Sequence, residues 1–446
     1  MTEVPAQPLN ALEREICRRI DARRDELIEL LATLIGFDTV THVPGAPARD
    51  EAALQAYLAR RLQTAGGEVQ LSEPDPALVK DHRLTPDGFD FAGRPQLVAR
   101  FPGTGAGRSL LFNGHIDVVE VEPRDAWARP PFAAEIDDGR VHGRGACDMK
   151  GGVACMVFAA GVLAESEIGL AGDLLVNTVT DEESTGAGGL VTARTLTADA
   201  AVVPEPTGLD VWVACRGSLL ATITVPGRAG HAGLAPRHPD DGGPVNAIEK
   251  LGIVLEAIRR LREEWALRPA HPFLPPADCV PTIVQGGEWV VSYPSSCRLE
   301  CHLEYLPEQA DADGWGSDVE REFVDWIGAA AAADPWLATH PPQVRWRLGG
   351  VPAAEVSVDE PIVGAARGAS RAIGVPRARI GGLDNWHDGA TLIVEAGIPA
   401  ICLGPGDVHL AHTTSESVPI SELISCAQAL AVTAMRFCGP PDQKRQ

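Results

Sequence analysis

The sequence is poor in basic and aromatic residues and contains no long apolar run. It has 38 Lys and Arg against 61 Asp and Glu, a formal net charge of −23, whereas nucleic acids and anionic membranes require a basic surface. No apolar stretch reaches the ~18–20 residues that cross a bilayer. The N-terminus carries acids and arginines where a signal peptide would need an apolar segment. We therefore expect a cytoplasmic protein with no nucleic-acid or membrane partner.

The sequence also lacks a paired-cysteine motif and a glycine-rich nucleotide-binding motif. The ten cysteines include no Cys-x-x-Cys pair, and a chain of 446 residues has no need of a disulfide framework. Cys297 and Cys301 are interpreted as strand residues that face the same side. No Gly-x-x-x-x-Gly-Lys-Ser/Thr segment is present, which argues against a ligase or transferase that binds a nucleotide.

The length and the order of apolar segments predict two domains. From about 95 to 205, short apolar runs alternate with helical segments, which is typical of a mainly parallel sheet with helices on both faces. From 216 to 350 the order strand, helix, two strands, helix, strand predicts a ferredoxin-like α+β unit. We expect an α/β fold: a doubly wound, mainly parallel catalytic domain (10–215 and 351–440) with an inserted α+β domain (216–350).

Local patterns place some elements more closely. Asn10 and Glu13 form a capping pair for a predicted helix, and Asp138-Gly139 predicts a β-hairpin turn. Residues 418–437 predict a C-terminal helix. The N-terminal helix has an apolar stripe that consists of Leu12, Ile16, Ile20, Leu27, Leu31 and Leu34.

Acids and histidines that follow predicted strands or lie in Gly-rich turns are the candidate functional residues. This is where open α/β sheets bind ligands, outside the carboxyl ends of their strands. Three or four oxygen and imidazole ligands per ion suit Zn²⁺, and one carboxylate can bridge two ions ~3.5–4 Å apart. In chain order the candidates are His115, Asp117, Asp148, Glu182, Glu183, Glu205 and His412.

Each candidate also has an ordinary structural interpretation when it is taken alone. His115 could be a buried histidine satisfied by Asp117, and Asp148 could cap the helix that follows it. His409 competes with His412, since the two are only three residues apart. The order and spacing of the whole set favour a metal site.

These residues, in this order, resemble the M20 family of metallopeptidases and aminoacylases, in its acetylornithine deacetylase and succinyl-diaminopimelate desuccinylase-like branch. The resemblance spans most of the chain and implies two zinc ions per subunit, replaceable by Co²⁺ or Mn²⁺. On the same grounds His412 is preferred to His409. The implied ligands are His115, Asp148 and Glu205 for one ion and Asp148, Glu183 and His412 for the other.

The resemblance also implies roles for three further residues. Glu182 would be the general base, and Asp117 would orient His115 by accepting its ring N–H on the carboxylate. Family members are typically homodimers joined through the inserted domain, which acts as a lid. The segment 227–233 resembles the lid motif, so His231 would stabilise the oxyanion, across the dimer interface by analogy, although an exposed turn histidine is the alternative.

The substrate-recognition patterns of the branch are altered. An Asn that grips an anionic substrate is replaced by Val291, an Arg by Glu304, and a Ser-Asp-Gly-Arg segment by 383–387, which contains Trp386. A neutral or cationic substrate is expected, with Glu304, Trp386 and Arg216 as candidate substrate-binding residues. A buried structural Glu304 and a surface Arg216 are the alternatives.

The predicted function is hydrolysis of the amide bond of a small N-acyl amine or N-acyl amino acid, of the deacetylase, deformylase or desuccinylase type. A metal-bridging water would be the nucleophile and Glu182 the base. A metallo-carboxypeptidase or dipeptidase on the same scaffold is the alternative. A non-catalytic metal-binding protein is disfavoured because every candidate ligand and Glu182 are present.

Overall fold

A computed structural model of the chain describes residues 7–41, 48–166, 168–235, 237–347, 350–375 and 378–440. It divides into two units, each described separately below. Unit 1 comprises Met1–Ala214, Glu355–Gly382 and His387–Gln446, and unit 2 comprises Cys215–Ala354 and Leu383–Trp386.

The first part of the chain alternates helices and strands. Its helices are α1 (Ala11–Ala22), α2 (Arg24–Ile35), α3 (Glu51–Thr64), α4 (Lys150–Glu165) and α5 (Ala187–Thr195). Its strands are β1 (Glu68–Ser72), β2 (Gln96–Phe101), β3 (Leu110–His115), β4 (Ile136–Asp137), β5 (Arg140–His142), β6 (Leu174–Val179), β7 (Ala200–Val203) and β8 (Val211–Cys215).

Unit 2 supplies the middle elements. They are β9 (Gly217–Pro226), β10 (Gly230–His231), α6 (Ala247–Ala266), β11 (Asp278–Gly286), β12 (Ser292–Tyr293), β13 (Ser296–Tyr305), α7 (Ser317–Ala331) and β14 (Gln343–Trp346). The chain ends with β15 (Ala354–Glu355), α8 (Pro361–Ala372), β16 (Ile380–Leu383), α9 (Asp388–Ala396), β17 (Ala400–Cys402), β18 (Ser417–Pro419) and α10 (Ile420–Cys438).

A nine-stranded mixed sheet organises unit 1. Its strand order is β1-β2-β6-β3-β7-β17-β8-β15, and β16 pairs with β8. The four central strands β6, β3, β7 and β17 run parallel, while β1 pairs antiparallel with β2, β2 with β6 and β8 with β17. The parallel pairing thus lies at the centre of the sheet, where both faces are covered.

Helices cover both faces of this sheet. On one face, Leu111 and Ala201 of the sheet pack in one cluster with Ala193 of α5 and Leu392 of α9. On the other face α4 lies against β3 and β6 and packs on α2 and α10. Since α4 is apolar on nearly all sides, its residues are buried almost throughout, as expected of a helix between two layers.

Unit 2 is an α+β unit around a four-stranded antiparallel sheet. The strand order is β11-β13-β9-β14, and β9 and β13 are paired along their whole lengths. Helices α6 and α7 pack on each other. Along β9 buried residues alternate with more exposed ones, and the inward residues Leu219, Ala221, Ile223 and Val225 are fully buried.

The structure confirms the predicted fold class and several local elements. The Asn10–Glu13 capping box is formed, and Asp138 and Gly139 connect β4 to β5 with positive φ at both positions. The single N-terminal helix was a wrong prediction, because the chain breaks at Arg23 into α1 and α2, and Leu12 is 49% exposed. Within the described residues, no helix is long and apolar enough to cross a membrane.

The predicted start of the C-terminal helix was also wrong. Val418 lies in β18, opposite Val141 of β5, and α10 begins only at Ile420. The reason is Pro419, whose ring disfavours helical backbone at the residue before it. The segment after His412 is therefore held to the hairpin of β4 and β5 before the helix starts.

Two glycines of α4 test the close packing of this helix. A Cβ at Gly152 would lie 2.0 Å from the carbonyl oxygen of Pro204, whereas a Cβ at Gly161 would meet only the Ala65 Cβ, at 3.8 Å. We expect Gly152→Ala to destabilise the protein by about 1–3 kcal/mol through overpacking. Gly161→Ala should stabilise it by about 0.5–1 kcal/mol, since alanine favours the helix. Thermal unfolding midpoints measure both, and equal shifts would contradict the close α4 contact.

Candidate active site

Four candidate residues lie at or after the carboxyl ends of four adjacent parallel strands. In sheet order, β6, β3, β7 and β17 lead to Glu183, His115, Glu205 and His412. Because parallel neighbours end at the same edge of a sheet, their carboxyl ends bring these side chains to one place. Asp148, just before α4, joins them there.

The five side chains form two groups of three that share Asp148. In the first group, His115 Nε2 lies 3.2 Å from Asp148 Oδ1 and 3.8 Å from Glu205 Oε1. In the second, His412 Nε2 lies 3.3 Å from Asp148 Oδ2 and 3.1 Å from Glu183 Oε2. Within each group the potential ligand atoms all lie within 4.8 Å of one another. Each oxygen of Asp148 faces a different imidazole, as expected of a carboxylate that bridges two ions.

Burial makes most of these carboxylates difficult to ionise. Desolvation raises the pKa of Glu205 well above its ordinary value, and the charge of Asp148 adds to the effect. Desolvation, with the same neighbour, raises the pKa of Glu183 to about 7. Asp148 differs: burial acts to raise its pKa, but hydrogen bonds with His115 and His412 hold it below the ordinary value.

The imidazoles respond in the opposite sense. Hydrogen bonds to Asp148 and then Glu183 raise the pKa of His412 to about 10. Burial acts to lower the pKa of His115, yet the charges of nearby carboxylates, first that of Glu182, raise it well above its ordinary value. The surrounding negative charge thus favours a cation at this position.

The donor set fits a pair of divalent cations. Each group offers two carboxylates and one imidazole, the ligand types that zinc-like ions prefer. The buried Oε1 of Glu183 has no hydrogen-bond partner among the described residues. Buried carboxylates are normally paired or bind a metal, so the unpaired oxygen is explained by an ion.

Glu182 lies beside the two groups but belongs to neither. Its Oε2 is 3.9 Å from His115 Nε2, and its side chain is 9% exposed. Desolvation raises its pKa well above the ordinary value. The structure thus places a buried carboxylate beside the ligand groups that is a member of neither.

Asp117 acts through different atoms from those predicted. His115 Nδ1 lies 2.9 Å from the backbone carbonyl of Asp117, whereas the carboxylate Oδ1 is 3.7 Å away. The carboxylate instead accepts the amide of Glu182 at 3.3 Å and that of Glu183 at 3.1 Å. Asp117 therefore holds the turn that carries both glutamates, and its main chain orients His115.

The structure places the remaining predicted residues in unit 2. Arg216 and Glu304 lie 3.8 Å apart, and His302 Nε2 lies 2.9 Å from Glu304 Oε1. These contacts agree with the alternative in which Glu304 is a buried structural residue. Trp386 is only 9% exposed. His231 is exposed on β10, and its Nδ1 accepts the amide of Gly233 at 3.0 Å.

Sequence reasoning missed buried charged residues around the cluster. Arg144 and Glu416 form an ion pair at 2.7 Å, both with almost no exposure. Asp388 is also buried, neither of its oxygens has a partner among the described residues, and desolvation raises its pKa to about 8. Their sequence signals are weak, because a single charge in a turn or at the start of a helix is usually solvated. His409, the rival of His412, is exposed and outside both groups.

Residues 111–436 match the sequence model of peptidase family M20/M25/M40. The chain belongs to this family. The matched span contains every residue of both groups, and the predicted resemblance is confirmed. As a member, the protein is a hydrolase that acts on amide bonds.

Curated relatives match the chain over nearly its full length. The N-formyl-4-amino-5-aminomethyl-2-methylpyrimidine deformylase of Bacillus subtilis (strain 168) is 28% identical over 94% of this chain and 96% of its own. The acetylornithine deacetylase of Myxococcus xanthus is 30% identical over 92% of this chain and 97% of its own.

Solved structures share the fold. Human carnosine dipeptidase 1 is 15% identical, with a TM-score of 0.71, over 97% of this chain and 100% of its own. The Bacillus subtilis YXEP protein, a dinuclear metal binding peptidase from the M20 family, is 14% identical with a TM-score of 0.62, over 93% of this chain and 98% of its own. Family membership and the two ligand groups together indicate a dinuclear metal site.

The ligand groups make a prediction about metal content. After dialysis, wild type and His409→Ala should retain two ions per chain, because His409 lies outside both groups. Glu205→Ala and His412→Ala should each retain one, and Asp148→Ala should retain none, since both groups share it. Inductively coupled plasma mass spectrometry counts the ions. Two ions in His412→Ala would remove His412 from the ligand set, and a loss of one ion in His409→Ala would make His409 a ligand.

Proposed function

We propose that this amidohydrolase uses two zinc ions to remove a small acyl group, formyl or acetyl, from the amino group of a small molecule. The proposal is carried by one geometric observation. Two complete ligand groups share Asp148, and Glu182 stands 3.9 Å from the His115 ring outside both of them. This arrangement provides separate residues for holding metal and for moving protons.

His115, Asp148 and Glu205 would hold one ion, and Asp148, Glu183 and His412 the other. Two bound metal ions would act as Lewis acids toward the amide carbonyl and toward water. Two imidazoles among carboxylates favour zinc, although Co²⁺ and Mn²⁺ accept the same ligands.

Glu182 is the proposed general base. It takes a proton from the attacking water and returns it to the nitrogen of the leaving amine, so the base is regenerated in each cycle. Burial holds its pKa above that of a solvated glutamate, which makes the protonated form accessible for the second step. The Asp117 carboxylate accepts a hydrogen bond of 3.3 Å from the backbone amide of Glu182 and so keeps Glu182 in place.

The acyl group and amine are inferred from relatives and from unit 2. The full-length relatives include a deformylase and a deacetylase. Arg216 and Glu304 compensate each other at 3.8 Å, so this pair has no net charge with which to select a free carboxylate. A neutral N-acyl amine therefore fits better than a peptide with a C-terminal carboxylate. Arg216 and Trp386 remain the proposed substrate-binding residues, and Glu304 is proposed to act on the substrate only through its pairing with Arg216.

The proposed reaction is tested with a panel of N-formyl, N-acetyl and N-succinyl amines, N-acyl amino acids and dipeptides. We expect the zinc-loaded protein to release free amine fastest from neutral N-formyl or N-acetyl substrates, and chelator treatment to abolish the release. A fluorogenic amine assay measures the rates. Cleavage of dipeptides alone would replace the proposal with a dipeptidase.

Two substitutions serve as controls in the same panel. Glu182→Gln should keep both ions and lose turnover by at least about 10²–10⁴-fold, because the base is removed while the ligands remain. Glu29→Gln changes an exposed glutamate on α2 and should leave turnover unchanged. Retained turnover in metal-loaded Glu182→Gln would exclude Glu182 as the base.

A homodimer formed through unit 2 is part of the proposal. The edge strand β11 exposes Ile283 and Val284, which are 51% and 55% accessible, and Trp289 beyond its end is 68% accessible. Edge strands with exposed apolar residues favour pairing with another chain. We infer that the exposed His231 stabilises the oxyanion in the site of the partner subunit.

His231→Ala should keep both ions and a dimeric sedimentation velocity profile, and lose about 10²–10³-fold in kcat, as expected for removal of an oxyanion donor. His238→Ala, a change of another exposed histidine in unit 2, should have wild-type kcat. Mixing His231→Ala with Glu182→Gln should restore activity if His231 acts between subunits. Wild-type kcat in His231→Ala, or a monomeric protein, would contradict the proposal.

A further inference from the structure

Glu416 is buried directly behind the shared ligand Asp148. Its Oε1 accepts hydrogen bonds from the backbone amides of Cys147, at 3.1 Å, and Asp148, at 3.2 Å. Its Oε2 accepts a hydrogen bond of 2.7 Å from Arg144 Nη1. The carboxylate therefore holds the main chain that carries Asp148, just before α4 begins.

Arg144 connects the same carboxylate to the segment that carries His412. Its guanidinium donates to the carbonyls of Thr413 at 3.3 Å, His412 at 3.4 Å and Glu120 at 3.1 Å. It also lies over the ring of Trp127, 4.9 Å from the centroid. A planar guanidinium has five N–H donors, so this one side chain holds several carbonyls at once.

His412 requires such support because its backbone is left-handed, with φ of +62°. This conformation is unfavourable for a residue with a side chain, and it persists only where the surroundings hold it. The hydrogen bonds from Arg144 to the carbonyls of His412 and Thr413 supply that hold.

We propose that Arg144 and Glu416 are positioning residues of the metal centre, which fix Asp148 and His412 relative to each other. Neither contributes an atom to the two ligand groups. One buried ion pair thus joins two ligands that lie far apart in the chain. The inference rests on the proposed metal centre, and its test includes wild-type metal binding so that the two can fail separately.

A second, partly buried ion pair provides a control. Arg436 and Glu13 are in contact at 2.8 Å, with side chains 16% and 4% exposed. This pair joins α10 to α1 and bonds to no residue of the ligand segments. Glu13→Gln therefore removes the same charge from the same kind of pair without touching the metal centre.

The test measures Zn²⁺ affinity by competition with a chromophoric chelator, and the visible absorption spectrum after Co²⁺ loading. Glu416→Gln should weaken binding of the ion at Asp148, Glu183 and His412 by about 10–100-fold, the usual effect of losing a partner that orients a ligand. His412→Ala, which retains the other group, identifies which of the two binding steps has changed. The Co²⁺ spectrum should shift, because the ligand geometry changes.

Arg144→Lys keeps the charge but cannot hold the same carbonyls, so it should weaken the same step. If Glu416→Gln does not fold, Arg144→Lys tests the inference in its place. Glu13→Gln should lower the thermal midpoint and leave both affinities and the spectrum unchanged. Wild-type affinities and spectrum in Arg144→Lys and Glu416→Gln would overturn the inference. Failure of wild type to bind two ions would instead overturn the metal centre itself.

Discussion

Repulsion among buried carboxylates is the constraint on which unit 1 depends. Asp148, Glu182, Glu183 and Glu205 are packed together with little access to solvent, and desolvation raises the pKa of the three glutamates. Such a cluster is unfavourable unless positive charge is placed among the oxygens. Two metal ions held by the ligand groups would supply this charge, with His115 and His412 as neutral ligands.

The sheet makes this concentration of charge possible. Four adjacent parallel strands end at one edge of the sheet, and one ligand lies at or after the end of each strand. Helices on both faces bury the strands. Further residues around the ligands orient the main chain that carries them. Asp117 holds the turn that carries Glu182 and Glu183, and the Arg144–Glu416 pair holds Asp148 and His412. These hydrogen bonds orient the ligands, and catalysis by positioned charge depends on such orientation.

Local sequence patterns were sufficient to predict the ligands that lie at or after the ends of short strands. The strands that precede His115, Glu183 and Glu205 are short apolar runs bounded by turns, so the ligand positions after them could be predicted. The break at Arg23 and the late start of α10 were missed, because tertiary packing and the residue before Pro419 outweighed apolar periodicity. Arg216 and Glu304 were considered separately, and only folding shows that they are neighbours.

The sequence alone determined the fold class, the family and the set of acids and histidines that the structure brings together in two groups. The fold class followed from strand ends, Gly-rich turns and their order, which are local properties of the chain, and the family followed from the resemblance of the ligand motifs. Tertiary structure decided which atom of Asp117 meets His115, which oxygen of Asp148 faces His412, and that Arg144 and Glu416 hold both ligands. These contacts join residues far apart in the chain, and their geometry depends on backbone conformation and burial that no local pattern contains.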